Sequence, residues 1–190
     1  MEDKNESKII YNKNGIKMTK LKENNYMLHF FIENKFLQLE KIINLEVAKL
    51  IYEINKDFLE DFHFVKNSEN NATIYYLFKH FFQDFGLSQK YTYTNVSMEK
   101  TFDKIIFTTE TNKEPLLKEI EFIENTEKLP ISKASFVCNI ISPHKVEIQN
   151  TVQFHAHYNL PEFVEKIATN IFSKIFIRIK QFIENNSFNV

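Results

Sequence analysis

The sequence predicts an α+β domain in which an antiparallel sheet packs against one long C-terminal helix. Three observations carry that prediction. Short β-type runs recur from residue 63 to residue 158 with polar turns between them. The last of these runs alternates apolar with polar residues, and the chain closes on an apolar stripe of helical spacing about 24 residues long.

Taken in order, residues 1 to 15 are polar, rich in Asn and Lys and end in the turn signal Asn14-Gly15, so a frayed tail is expected ahead of a single domain at residues 16–187. Tyr26 to Ile32 reads as a strand. Phe36 to Ile43 fits a second strand or the start of a helix, and the strand is the reading adopted. Asn44 is placed to cap a helix whose apolar positions are Val47, Leu50, Ile51, Ile54 and Phe58, with Glu46 in the first turn, where the helix dipole favours an anion.

A meander follows: His63 to Lys66, Thr73 to Phe81, Lys90 to Met98, Phe102 to Thr109, Ala134 to Ser142 and Val146 to Tyr158. In the last, Val146, Ile148, Val152, Phe154, Ala156 and Tyr158 alternate with Glu147, Gln149, Thr151, Gln153, His155 and His157, so one face is buried and the other wet. Between residues 113 and 129, Leu116, Leu117, Ile120 and Ile123 after Pro115 are compatible with a short covering helix. The final helix is announced by Asn159 as cap, Pro161 in the first turn and Glu162 three residues after the cap. Its stripe includes Phe163, Ile167, Ile171 and Ile175 and is too rich in Phe for a coiled-coil seam, which leaves the sheet as its partner.

Composition removes several classes of function. A chain of 190 residues, 43% hydrophobic and 26% charged, buries an adequate core without metals or disulfides. The formal net charge is -1 and Arg178 is the only arginine, so there is neither a cationic field nor a set of bidentate donors for nucleic acid. No apolar run reaches the roughly 18 to 20 residues that span a bilayer. Cys138 is the only cysteine and the N-terminus is charged where a secretory signal is apolar, so a cytoplasmic location is expected. Gly15 and Gly86 stand alone, so no glycine-rich phosphate loop exists and no cofactor is expected.

Candidate chemistry weighs against catalysis. His155 and His157 share a face and, with His144 or His29, have the donor types for zinc, but they fall on the polar side of an alternating strand, where solvated histidines are the simpler account, and no metal is assigned. Cys138, among Phe136, Ile140 and Ile141, reads as a buried inert thiol. The acid pairs Glu60 with Asp61 and Glu110 with Glu114 lie in charged stretches where solvated carboxylates are usual, and no catalytic residue is assigned.

Two segments carry a family resemblance. Asn71 to Thr94 (NATIYYLFKHFFQDFGLSQKYTYT) looks like a strand, loop and serine-bearing strand entry, and His144 to Phe182 (HKVEIQNTVQFHAHYNLPEFVEKIATNIFSKIFIRIKQF) looks like a last strand running through a Leu-Pro step into a gripping helix. With the order strands, helix, meander, long helix, the sequence resembles the START and birch-pollen-allergen-like (SRPBCC) superfamily, START lipid-transfer domains best. It departs from them in two places. Ser88-Gln89-Lys90 stands where START domains place Arg-Asp after the serine, and the tryptophan common after the first helix is missing, with Phe58 or Phe62 in its region.

The resemblance implies a helix-grip fold, a curved antiparallel β-sheet wrapped around a long C-terminal α-helix, with a hydrophobic tunnel between them for a lipid or sterol-like molecule. On that reading Tyr76, Phe78, Tyr91, Tyr93, Phe107 and Phe136 line the tunnel from the meander, and Val152, Phe154 and Ala156 from the last strand. Phe163, Ile167, Ile171 and Ile175 line it from the helix. Phe81, Phe82 and Phe85 around Gly86 are expected to form an aromatic loop at the tunnel mouth that dips transiently into a membrane surface, in a monomeric protein. Two alternatives stay open: an enzyme of the same superfamily working through Tyr93 or His80 on a hydrophobic substrate, and a protein-interaction domain with a filled core.

Overall fold

The meander is present and begins earlier in the chain than its alternation suggested. The computed structural model describes residues 7–22, 24–120, 123–158 and 161–186. Within them the chain runs β1 (Lys8–Lys13), β2 (Ile16–Lys22), β3 (Asn25–Glu33), α1 (Leu39–Ile42), α2 (Val47–Glu53), β4 (Leu59–Lys66) and β5 (Asn71–Phe78). It continues through β6 (Gln89–Lys100), β7 (Lys104–Thr111), β8 (Thr126–Lys128), β9 (Ile131–Ser142), β10 (Lys145–Phe154) and α3 (Glu162–Asn185). The described strands form one curved sheet in the order β1-β2-β3-β10-β9-β7-β6-β5-β4, with β8 added in parallel to β6.

The N-terminal hairpin replaces the expected frayed tail from Lys8 onward. Asn14 and Gly15 both have positive φ, 54° and 72°, which is the two-residue turn whose twist matches paired strands, and Lys13 duly pairs with Ile16. Composition hid it because Lys8–Lys13 is an edge strand with little to bury. The centre of the sheet is a non-sequential pairing, β3 against β10, in which Val146, Ile148, Asn150 and Val152 face Ile32, Phe30, Leu28 and Tyr26.

Local readings shift for identifiable reasons. Phe36 to Ile43 is a bend and one turn of helix rather than a strand, because Asn34 accepts the N–H groups of Phe36 and Leu37 and turns the chain off the sheet while Leu37, Leu39 and Ile43 bury. Asn44 accepts the N–H of Glu46 in an Asx turn just before α2. That helix stops at Glu53, where Asn55, fully buried, takes over the chain by donating to the carbonyl of Ile51. Residues 113–120 form no helix; Leu116, Leu117 and Ile120 instead cover the outer face of β5 and β6. Strand β10 ends at Phe154, so His155 to Tyr158 form a turn. The expected cap Asn159 lies outside the described residues, and α3 starts after Pro161.

Helix α3 is tied down along its length. Asn34, 3% exposed, donates its amide to the carbonyls of Ile183, Glu184 and Asn186, closing the orphan acceptors of the helix C-terminus. Lys180 donates to the carbonyl of Phe31 at 2.8 Å. Near the other end, Glu165 meets Lys20 and Tyr26. Phe62, in the region of the missing tryptophan, stacks between Tyr52 of α2 and Tyr76 of β5 at centroid distances of 5.1 and 5.0 Å.

Candidate functional site

Register decides which side chains face α3. On β5 the inward residues are Ala72, Ile74, Tyr76 and Phe78; on β6, Thr92, Thr94 and Val96; on β7, Phe107 and Thr109; on β9, Ala134 and Phe136. Several of these are short. Thr92, Thr94, Thr109 and Ala134 do not reach the helix, and the space left over is a cavity.

The cavity is a line of three chambers that share walls. The first, about 260 Å³, lies among Phe30, Ile74, Tyr76, Phe107, Phe136 and Ile179. A waist of about 80 Å³ shares Asn150, Val152 and Phe176 with it. The third, about 310 Å³, shares Phe154, Ala168 and Phe172 with the waist and reaches the surface beside Phe81, Phe82 and Pro161. Ligand sites in proteins hold about 300–1,000 Å³ and are mostly apolar with a few placed polar groups.

Several polar groups on the walls are held by the protein itself. Tyr76 donates to the carbonyl of Ala48 at 2.7 Å, and burial pushes its phenol far above the ordinary value, so it is a neutral donor already in use. At the waist, burial raises the pKa of Glu165, but hydrogen bonds from Lys20 and Tyr26 outweigh it and hold the carboxyl below the usual range. Burial and that same carboxylate raise the Tyr26 phenol. Around the mouth stand His80, which contacts the Leu87 carbonyl at 2.6 Å, and Lys90, paired with Glu127. Gln89, 7% exposed, donates to Glu60 and to the Phe78 carbonyl, pinning β6 to its neighbours where the sequence departs from Arg-Asp.

Of the residues expected in the tunnel, Tyr76, Phe107, Phe136 and Val152 line the first chamber, Phe154 the waist and the third chamber, and Phe78 and Ile171 the third. Tyr91 and Tyr93 point the other way. Inward residues of β6 are even-numbered, and the two tyrosines lie on the outer face, where Tyr93 packs with Tyr75, Leu77 and Ile120 and donates to the Pro115 carbonyl at 3.2 Å. Aromatic character alone misassigned their side because this sheet has a second buried surface. Ala156 is exposed in the turn after β10, with Asn24 donating to its carbonyl at 3.4 Å. Phe163 and Ile167 are 48% and 36% exposed: each i to i+4 step precesses by about 40° around the helix, which carries them off the face holding Val164, Ala168 and Ile175. Ile175 is buried in the core but is not a cavity wall.

The loop after β5 holds Phe81 and Phe82 half-buried against the third chamber and leaves Phe85 58% exposed, its ring centroid 5.2 Å from that of Phe163. Gly86, at φ 69°, closes the single helical turn Gln83–Phe85 that presents Phe85. Among the described residues no three or more His, Cys, Asp or Glu side chains converge as a metal site, and no helix is long and apolar enough to cross a membrane. His29 binds Glu147 and His63 binds Asp61, each at a separate place on the sheet. Cys138 is fully buried, and burial pushes its thiol up to about 12.

No family model and no curated protein matches the sequence. Solved structures match the whole arrangement. The human StarD13 (DLC2) lipid transfer and protein localization domain superposes with a TM-score of 0.70 at 6% identity, covering 95% of this chain and 90% of that one. The chain has the START helix-grip fold. Human STARD10 matches at TM-score 0.68 and 11% identity, covering 93% of this chain and 74% of that chain. Human StAR-related lipid transfer protein 5 matches at 0.64 and 13%, covering 96% and 90%. Within this START fold, sequence reading passed over several cavity residues, among them Phe30, Ile74, Thr92, Phe176 and Asn150. Asn150 sits in the inward phase of β10 between Ile148 and Val152, and a polar residue breaking an apolar alternation was the available signal.

Proposed function

We propose that this protein binds one lipid-like molecule in the chambered cavity and exchanges it at a membrane surface. The observation that carries the reading is the unfilled, largely apolar space between sheet and α3, bounded by residues too short to close it. Binding removes ligand hydrocarbon from water, which is worth about 25 cal/mol per Å² before the costs of association. Tyr76, Phe78, Phe107, Phe136, Val152, Phe154 and Ile171 act as apolar contacts. Two neighbours of the same fold carry lipid transfer in their names, which supports the reading at the level of ligand class.

The mouth of the third chamber serves exchange. Phe85 and Phe163 stand exposed there beside Phe81 and Phe82, so aromatic rings meet the bilayer where the ligand leaves it. The protein works as a cytoplasmic monomer, and binding rather than bond-breaking is its activity.

Native mass spectrometry of gently purified protein, with extraction and identification of bound lipid, tests the proposal alongside uptake of fluorescent lipids from vesicles. A stoichiometric co-purifying lipid or saturable uptake is expected. Protein that carries no lipid and takes up none from vesicles overturns it.

A further inference from the structure

The ligand class follows from one side chain, given that the cavity is the binding site. Strand β10 presents Val146, Ile148, Asn150, Val152 and Phe154 inward: four apolar residues and one amide. On the flanking strands the residues level with Asn150 are Leu28 and Phe136, neither of which offers a side-chain hydrogen bond. Asn150 lines both the first chamber and the waist. Among the described residues its amide has no hydrogen-bond partner, whereas Asn34 is bonded to backbone through both its nitrogen and its oxygen. A carboxamide offers two donors and one acceptor oxygen, and leaving them unmet in an apolar wall costs stability that a leucine would not.

Charge narrows what can meet that amide. No Lys, Arg, His, Asp or Glu lines the first chamber, and its remaining polar side chains are Asn44, Ser135, the threonines Thr92, Thr94 and Thr109, and Tyr76, whose hydroxyl is already given to the Ala48 carbonyl. The waist contains one charged wall residue, Glu165, already neutralised by Lys20. A phosphate or carboxylate pushed inward meets no free cation and, at the waist, meets an anion. An uncharged hydroxyl, carbonyl or amide meets a matching group without bringing in a charge.

We infer that the ligand is a neutral lipid with one small hydrogen-bonding group, carried polar end inward, and that Asn150 is the residue that recognises that group. The acyl or ring hydrocarbon then fills the chambers. A phospholipid is disfavoured, since its head group has charged company only at the mouth, near Lys79, Lys90 and Glu127, and its hydrocarbon would leave Asn150 unmet.

The test uses two matched pairs: a fluorescent sterol with its deoxy analogue, and a pyrene-tagged long-chain alcohol with the tagged alkane. A pyrene-tagged phosphatidylcholine is the fifth probe. At least one alcohol should bind the wild-type protein about tenfold tighter than its partner lacking the oxygen, and tighter than phosphatidylcholine. Asn150→Leu, near-equal in size, should erase that preference while still binding the deoxy or alkane probe. Asn150→Ala gives the same reading if the leucine variant does not fold, with thermal melting checking both. Equal binding of alcohol and hydrocarbon by wild type overturns the inference, as does a preference that survives Asn150→Leu or phosphatidylcholine binding as tight as the best alcohol. In each of these cases the cavity still binds lipid. Failure of all five probes to bind overturns the cavity reading and this inference with it.

Discussion

Arg178 and Asp57 form a two-pronged pair in which both terminal guanidinium nitrogens donate to the carboxylate, and the guanidinium lies 4.7 Å over the ring centroid of Phe58. The only arginine of the chain is thus used to fasten α3 to the segment entering β4. A lysine can supply the charge but neither the fork nor the flat stacking surface. Both partners are partly exposed, so Arg178→Lys should lower unfolding free energy by only about 0.5–1 kcal/mol in urea denaturation.

A larger loss is expected at the opposite flank of the helix. Asn34 is buried and meets two N–H groups and three carbonyls at once, and its removal leaves those groups without partners away from water. Asn34→Ala should cost about 2–4 kcal/mol by chemical denaturation.

Acid should weaken the waist. The carboxyl of Glu165 is held below its usual range in the folded protein, so its contribution is complete above the unfolded value of about 4.3 and is lost as the pH falls through the folded value. Glu165→Gln should therefore be less stable than wild type at pH 7, by about 1–2 kcal/mol, with the gap closing below about pH 4. Thermal melting of both proteins across that range is the check.

Filling the first chamber separates binding from folding. Ala134 faces it between Thr109 and Val152, and a longer apolar side chain there enters empty space rather than neighbours. Ala134→Leu should keep or raise the melting temperature while lowering lipid uptake about tenfold.

The exposed aromatic pair at the mouth bears on exchange. Phe85→Asp combined with Phe163→Asp should leave the melting temperature within a few degrees of wild type, since each ring is about half exposed. Vesicle co-sedimentation and the rate of lipid transfer between vesicles should both fall about tenfold.

Sequence reading recovered what periodicity encodes and missed what depends on distant cover. The stripe of α3 and the alternation of β10 bury one face each, and both are legible at a distance of two to four residues. The faces of Tyr91 and Tyr93 are not legible in that way. Their strand is buried on both sides, and only the path of residues 112–120, far along the chain, makes the outer one a core. The hairpin at Asn14-Gly15 was visible as a turn but not as strands, because Lys8–Lys13 at the sheet edge buries only parts of Ile10 and Tyr11. Asn150 was the most local signal of all, a single amide in an apolar phase, and it was passed over with the rest.

The second core on the outer side of β5 and β6 makes the two walls of the cavity mechanically unequal. Tyr75, Leu77, Tyr93 and Ile120 brace one wall from behind, so that wall cannot bow outward without breaking packing on its far side. Behind β3, β10 and β9 lie His29, Glu147 and Asn139, a polar network, and among the described residues no buried apolar cluster covers it. On the proposed reading the molecule is a vise with one fixed jaw: the strands held from behind keep the shape against which a ligand is measured.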